Sequence, residues 1–167
     1  MVIDNFSNFN NNDFNSWCWF VKELKKSPWV CNFDVGGCNG CILEIYALLT
    51  PRYDIERFGI LLKSSARHAD ILLTSGIVNR QNKERLKTIY KQMVDNKKVI
   101  AIGSCAITGG PFKDSYNFVG PVDKIIPVDM YVPGCPPRPE AIIDGILKML
   151  GRLNEKDKTK SKKIKRS

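Results

Sequence analysis

Four cysteines set in Gly- and Pro-rich turns constrain this chain more than any other feature. A close pair lies in Gly36-Gly37-Cys38-Asn39-Gly40-Cys41, Cys105 follows Gly103-Ser104, and Cys135 lies in Pro133-Gly134-Cys135-Pro136-Pro137. A short apolar run precedes each turn and a more polar or helical stretch follows. That is the pattern of strand ends in an α/β sheet, where sites are commonly built. Three strand ends can bring four thiolates to one place, and four thiolates suit an iron–sulfur cluster or zinc.

The intervening sequence supplies the sheet. Residues 29–35 read as a first strand feeding the turn of Cys38 and Cys41, and residues 42–49 as a helix stopped by Pro51. Residues 57–63 and 70–74 read as strands. Residues 79–94 read as a helix with Leu86, Ile89, Tyr90 and Met93 on one face. Residues 99–102 form a short buried strand ending at Gly103-Ser104-Cys105, residues 125–132 the last strand, and residues 139–150 a closing helix. This alternation predicts an α/β fold, a mostly parallel flavodoxin-like sheet with helices on both faces. No repeat and no second domain is expected in 167 residues.

The flanks read differently. Residues 1–16 are Asn-rich and are expected to be disordered. Within residues 17–26, Trp17, Phe20, Val21 and Leu24 form one apolar stripe, with Lys22, Glu23, Lys25 and Lys26 opposite. This is an amphipathic helix suited to its own domain or to docking at a membrane-side partner. Residues 27–151 are the expected iron–sulfur α/β domain, and residues 152–167 a basic disordered tail. Residues 155–167 hold seven basic against two acidic residues, which is +5 of the chain's net +9. The tail lacks the interleaved aromatics that stack on bases, so nucleic acid is not the expected partner. No apolar run approaches the length of a membrane span, and the start lacks the pattern of a secretory signal. A reducing compartment is expected, where six cysteines serve as ligands or free thiols rather than disulfides.

The close pair alone admits three chemistries. A thioredoxin-type dithiol is disfavoured by the Asn-Gly between the cysteines and by two further cysteines at equivalent strand ends. Structural zinc usually pairs two close Cys-x-x-Cys knuckles, whereas Cys105 and Cys135 are thirty residues apart. A [4Fe–4S] cluster needs only four cysteines, and the spacing places it ahead of zinc. The prolines around Cys135 stiffen its loop and remove N–H donors. Cys38 and Cys41 sit instead at a predicted helix N-terminus, where free N–H groups stabilise thiolates.

Cys18 and Cys31 read as buried free thiols. His68, the sole histidine, reads as a hydrogen-bonded loop residue or a proton or partner contact near the cluster. Glu44, one helical turn beyond Cys41, faces the same way. No catalytic triad and no nucleotide-binding fingerprint is evident.

Together these residues carry a resemblance. Gly37-Cys38-Asn39-Gly40-Cys41 with Glu44, Thr50-Pro51-Arg52-Tyr53-Asp54, Arg57-Phe58-Gly59, Arg67-His68-Ala69-Asp70, Gly103-Ser104-Cys105 and Val132-Pro133-Gly134-Cys135-Pro136-Pro137-Arg138-Pro139-Glu140-Ala141 resemble the small subunit of membrane-bound, energy-converting [NiFe] hydrogenases. The same motifs are similar to the related B-type, 20 kDa subunit of complex I, the NADH:quinone oxidoreductase. The complex I subunit typically has adjacent cysteines; the two residues between Cys38 and Cys41 follow the hydrogenase form, and Arg138-Pro139 resembles that side too.

The resemblance implies one proximal [4Fe–4S] cluster on Cys38, Cys41, Cys105 and Cys135. It implies electron relay between a ferredoxin-like subunit and the [NiFe] site of a large subunit, in a ferredoxin-linked hydrogenase with integral membrane ion-translocating subunits. The chain would then be peripheral, on the cytoplasmic side of the membrane, and inactive alone. Glu44, Arg67 and His68 are candidates for a proton or hydrogen-bond role. A complex I-like quinone or ferredoxin oxidoreductase subunit without hydrogenase activity, and a zinc-stabilised binding module, are the alternatives. The sequence departs from the family at Ile42, where Asp is frequent, at Ser65-Ala66-Arg67 and at Gly76-Ile77-Val78-Asn79.

Overall fold

The computed structural model describes residues 27–151. The expectations for residues 1–16, 17–26 and 152–167, and for Cys18, lie outside the described residues.

The main sheet is built from short apolar runs. Strands β1 (Trp29–Asp34), β2 (Leu61–Leu62), β3 (Ile71–Ser75), β5 (Lys98–Ile102) and β7 (Met130–Val132) pair in parallel in the order β2-β1-β3-β5-β7. Counted within the sheet this is 2-1-3-4-5, the flavodoxin-like order expected from the sequence. Every residue of β3 is buried, as a central parallel strand covered on both faces must be.

Alternation along the strands divides the core in two. Val30, Ile71, Leu73, Ile100 and Ile102 face one side, where they pack with Ile45 and Leu48 at α1 (Gly40–Ala47) and with Ile142 and Ile146 of α4 (Pro139–Met149). Cys31, Leu72, Val99 and Ala101 face the other, against Leu86 of α2 (Asn82–Gln92), Met93 and Ala106. Helices therefore cover both faces, as predicted. The polar ends of β3 are satisfied inside the core: Thr74 Oγ1 donates to Ile100 O at 3.2 Å, and Ser75 Oγ to Asp34 Oδ1 at 2.9 Å.

The structure corrects several local expectations. Residues 57–63 are not one strand: Ile55–Phe58 is a 3-10 turn closed by Gly59, and only Leu61 and Leu62 pair with β1. The helix expected over 79–94 is Asn82–Gln92, because Val78–Asn79 (β4) pairs antiparallel with Phe118–Gly120 (β6) in a second small sheet. The strand expected over 125–132 shrinks to Met130–Val132, with the preceding segment pinned by a reciprocal bond: Val99 N–H donates to Asp129 Oδ2 and Asp129 N–H to Val99 O, each at 2.9 Å. Cys105 lies not in a turn but within a short helix, α3 (Gly103–Thr108). Among the described residues, no helix is long and apolar enough to cross a membrane.

Candidate metal centre

Parallel pairing puts the ends of β1, β3, β5 and β7 on one edge of the sheet. The chain continues from β1 into the Cys38–Cys41 turn, from β5 into Cys105, and from β7 into Cys135. Backbone bonds stitch these exits together: Val35 N–H donates to Ser75 O at 2.8 Å, and Ser104 N–H to Gly134 O at 2.8 Å. Ser104 Oγ donates to the same carbonyl at 3.1 Å. The turns of Cys105 and Cys135 are therefore fixed to each other before any ligand is bound.

All four cysteines line one recess, together with Asp34 and Gly76. Cys38 and Cys135 are exposed at its mouth, Cys41 is half-buried and Cys105 is buried. Burial pushes the Cys41 thiol up to about 11, with the neighbouring Cys105, Cys38, Cys135 and Asp34 charges adding to the effect. Cys105 is raised by the same causes, burial first, then Cys135, Cys38 and Asp34. Cys41 and Cys105 thus lie within electrostatic reach of the other two thiols and of Asp34, and positive charge in the recess would favour their thiolate forms.

The backbone leaves room for the sulfurs. A Cβ on Gly103, whose φ is +85°, would come within 2.6 Å of Cys41 Sγ. Cys41 enters α1 through Asn39 in the left-handed region, φ 66°. The N–H groups of the first helical turn have no intrahelical carbonyl partner and remain available to a ligand. Among the described residues, no three His, Cys, Asp or Glu groups converge as they would about a single metal ion. Instead, the four thiols surround a shared space. Four soft donors spread in this way fit a cysteine-ligated iron–sulfur cluster.

The other sequence candidates separate from this site. Glu44 is half-buried in α1 and does not line the recess. Arg67 and His68 occupy a 3-10 turn, Ala66–His68, that precedes β3, and the structure does not bring them to the recess. His68 instead stands edge-on to Trp29 at the start of β1, ring centroids 6.4 Å apart. Cys31 is buried away from the recess, its thiol raised by desolvation. Sequence reading missed Asp34, whose carboxylate lies at the recess. A charged residue at the end of a mostly apolar strand, four positions before Cys38, was its signal.

The family model of the NADH ubiquinone oxidoreductase 20 kDa subunit matches residues 38–149, from the first of these cysteines past the last. The chain belongs to this family. A relative in Pyrococcus furiosus, a probable membrane-bound hydrogenase subunit (mbhJ), is 54% identical over 132 residues, 79% of each chain. The chloroplastic NAD(P)H-quinone oxidoreductase subunit K of Angiopteris evecta is 42% identical over 158 residues, covering 92% of this chain and 60% of the relative. Among solved structures, a chain of the membrane-bound sulfane sulfur reductase, an archaeal respiratory membrane complex, superposes with a TM-score of 0.71 at 44% identity, covering 80% of this chain and 73% of the other. The family is one of oxidoreductase subunits, and the flavodoxin-like topology and the complex I-like resemblance expected from sequence both stand.

Proposed function

We propose that this chain is the electron-transfer subunit of an ion-translocating, energy-converting hydrogenase, holding one [4Fe–4S] cluster on Cys38, Cys41, Cys105 and Cys135. The observation that carries this is the convergence of all four thiols, from three different strand ends, on one recess. Bound there, the cluster would supply one-electron chemistry between a ferredoxin-like donor subunit and the [NiFe] centre of a large subunit.

The chain's own residues support a relay. Cys38 and Cys135 reach the surface, so electrons need cross little protein to enter or leave. The sheet edge and the Ser104–Gly134 bonds hold the ligands rigidly, which keeps the rearrangement between redox states small. Beside the recess, α1 exposes Leu43 (68%) and Tyr46 (53%), with Leu49 just beyond it. An apolar patch of this kind suits burial against a partner subunit. The membrane-bound hydrogenase relative supports peripheral attachment to a membrane complex, which this reading puts on the cytoplasmic side.

Anaerobic reconstitution of the full chain with iron and sulfide is expected to give a brown protein with a reduced [4Fe–4S] EPR signal. That signal should vanish in Cys105→Ser and Cys135→Ser and persist in Cys18→Ser. A colourless protein holding one zinc would overturn the reading. A second reading, a relay in a complex without hydrogenase activity, is favoured by the 44% identity to the sulfane sulfur reductase chain. Hydrogen evolution from reduced ferredoxin by the native complex, purified through this chain, decides between them.

A further inference from the structure

Asp34 stands at the end of β1, and its two carboxylate oxygens join different parts of the site. Oδ1 accepts from Ser75 Oγ at 2.9 Å, and Oδ2 accepts from the Gly37 N–H at 3.1 Å. Ser75 is fully buried at the end of β3, so one side chain ties the backbone just before Cys38 to the neighbouring strand. Gly76 closes the same junction. At φ +83°, a Cβ there would come within 2.5 Å of Gly37 N and 2.8 Å of Asp34 Oδ1.

Asp34 also lines the recess, and its charge opposes ionisation of both Cys41 and Cys105. Among the described residues lining the recess there is no Lys, Arg or His to offset it. One-electron reduction of a cluster adds a further negative charge to this space, and a fixed carboxylate at its wall resists that addition.

Resting on the cluster assignment above, we propose that Asp34 is a positioning residue for the Cys38–Cys41 turn and the fixed charge that holds the cluster's reduction potential low. Asp34→Asn removes the charge while keeping the shape and one acceptor oxygen. An EPR-monitored titration of the reconstituted full chain, with dithionite as the electron source, reads the result. At the parent's midpoint potential the reduced-to-oxidised ratio should rise several-fold in Asp34→Asn; a tenfold rise corresponds to about 59 mV for a one-electron couple. Asp34→Glu, which keeps the charge, should stay closer to the parent.

A loaded Asp34→Asn protein with an unshifted potential overturns the proposal and leaves the cluster assignment intact. A parent that takes up no cluster defeats the assignment itself. If Asp34→Asn folds but does not load, Ser75→Ala decides, because it removes one clamp bond and keeps the charge. Faster alkylation of Cys38 in apo Ser75→Ala than in the apo parent supports the positioning role, and equal rates overturn the proposal.

Discussion

Gly103 is the position where packing around the cysteines can be tested most sharply. Its φ of +85° already disfavours a side chain, at about 1–2 kcal/mol for a left-handed L-residue. In Gly103→Ala the added Cβ would also lie 2.6 Å from Cys41 Sγ, roughly 1 Å inside ordinary heavy-atom contact. Gly103 is buried at the end of β5, so the backbone has little freedom to give. Overpacking of this kind adds about 1–3 kcal/mol, for a total loss of about 2–5 kcal/mol in the apo protein. Alternatively Cys41 rotates away, and the recess loses that thiol. Gly151→Ala isolates the backbone part: its φ is +69°, with nothing within 4 Å of the new Cβ. Urea unfolding of both apo variants and iron per chain after reconstitution are the assays. Gly103→Ala should unfold at clearly lower urea than Gly151→Ala and hold less than the parent's iron. Equal stability of the two variants with full iron loading would refute the close approach of Gly103 to Cys41.

Three further outcomes follow from the same geometry. In the apo protein, a Cys41 thiol raised to about 11 is about 0.1% thiolate at pH 8, against roughly 10% for an ordinary thiol near 9.0. Site-resolved iodoacetamide labelling should therefore find Cys41 slow at pH 8, its rate rising about tenfold per pH unit up to the raised pKa. Asp129→Ala removes the acceptor of the half-buried Val99 N–H and should destabilise by about 1–3 kcal/mol, whereas Lys98→Ala, which removes only the exposed Lys98–Asp129 pair, should change urea stability by about 0–1 kcal/mol. Ile146→Ala, in the fully buried face of α4, should cost about 2–5 kcal/mol in urea unfolding while leaving the potential of a loaded cluster unchanged.

The parallel sheet was legible because β1, β3, β5 and β7 are mostly apolar runs followed within two residues by glycine. Residues 29–34, 71–75 and 98–102 announce themselves, and the Cys38, Cys105 and Cys135 turns mark the exits of β1, β5 and β7. Residues 57–63 read as one strand because Phe58, Ile60 and Leu62 alternate, while Asp54 and Gly59, both in left-handed backbone, close Ile55–Phe58 into a 3-10 turn. The small β4–β6 sheet was illegible: strands of two and three residues carry no period, and only the fold brings Val78 opposite Gly120. The cysteines were visible as a set from their turns. Asp34 was not, because its importance lies in contacts with Ser75 and Gly37, and the first of these spans forty-one residues of sequence.

What the recess lacks bears on how the family is used. Among the described residues lining it there is no histidine and no basic side chain, and the one carboxylate, Asp34, is engaged by Ser75 and Gly37. Burial and neighbouring negative charge raise the Cys41 and Cys105 thiols, so a positively charged group bound in the recess would favour their thiolates and release protons on binding. On the proposed function such a site holds and passes electrons, and the proton chemistry of any terminal acceptor is performed elsewhere. That division would, under the proposed function, account for relatives with 54%, 44% and 42% identity to this chain carrying names that refer to hydrogenase, sulfane sulfur and quinone. On the same proposal the shared fold would supply the relay, and the acceptor would follow from the subunit docked against it. On that reading the large subunit sets the reaction of the complex, while substitutions around Asp34 and Gly103 should alter potential or assembly whichever acceptor is present.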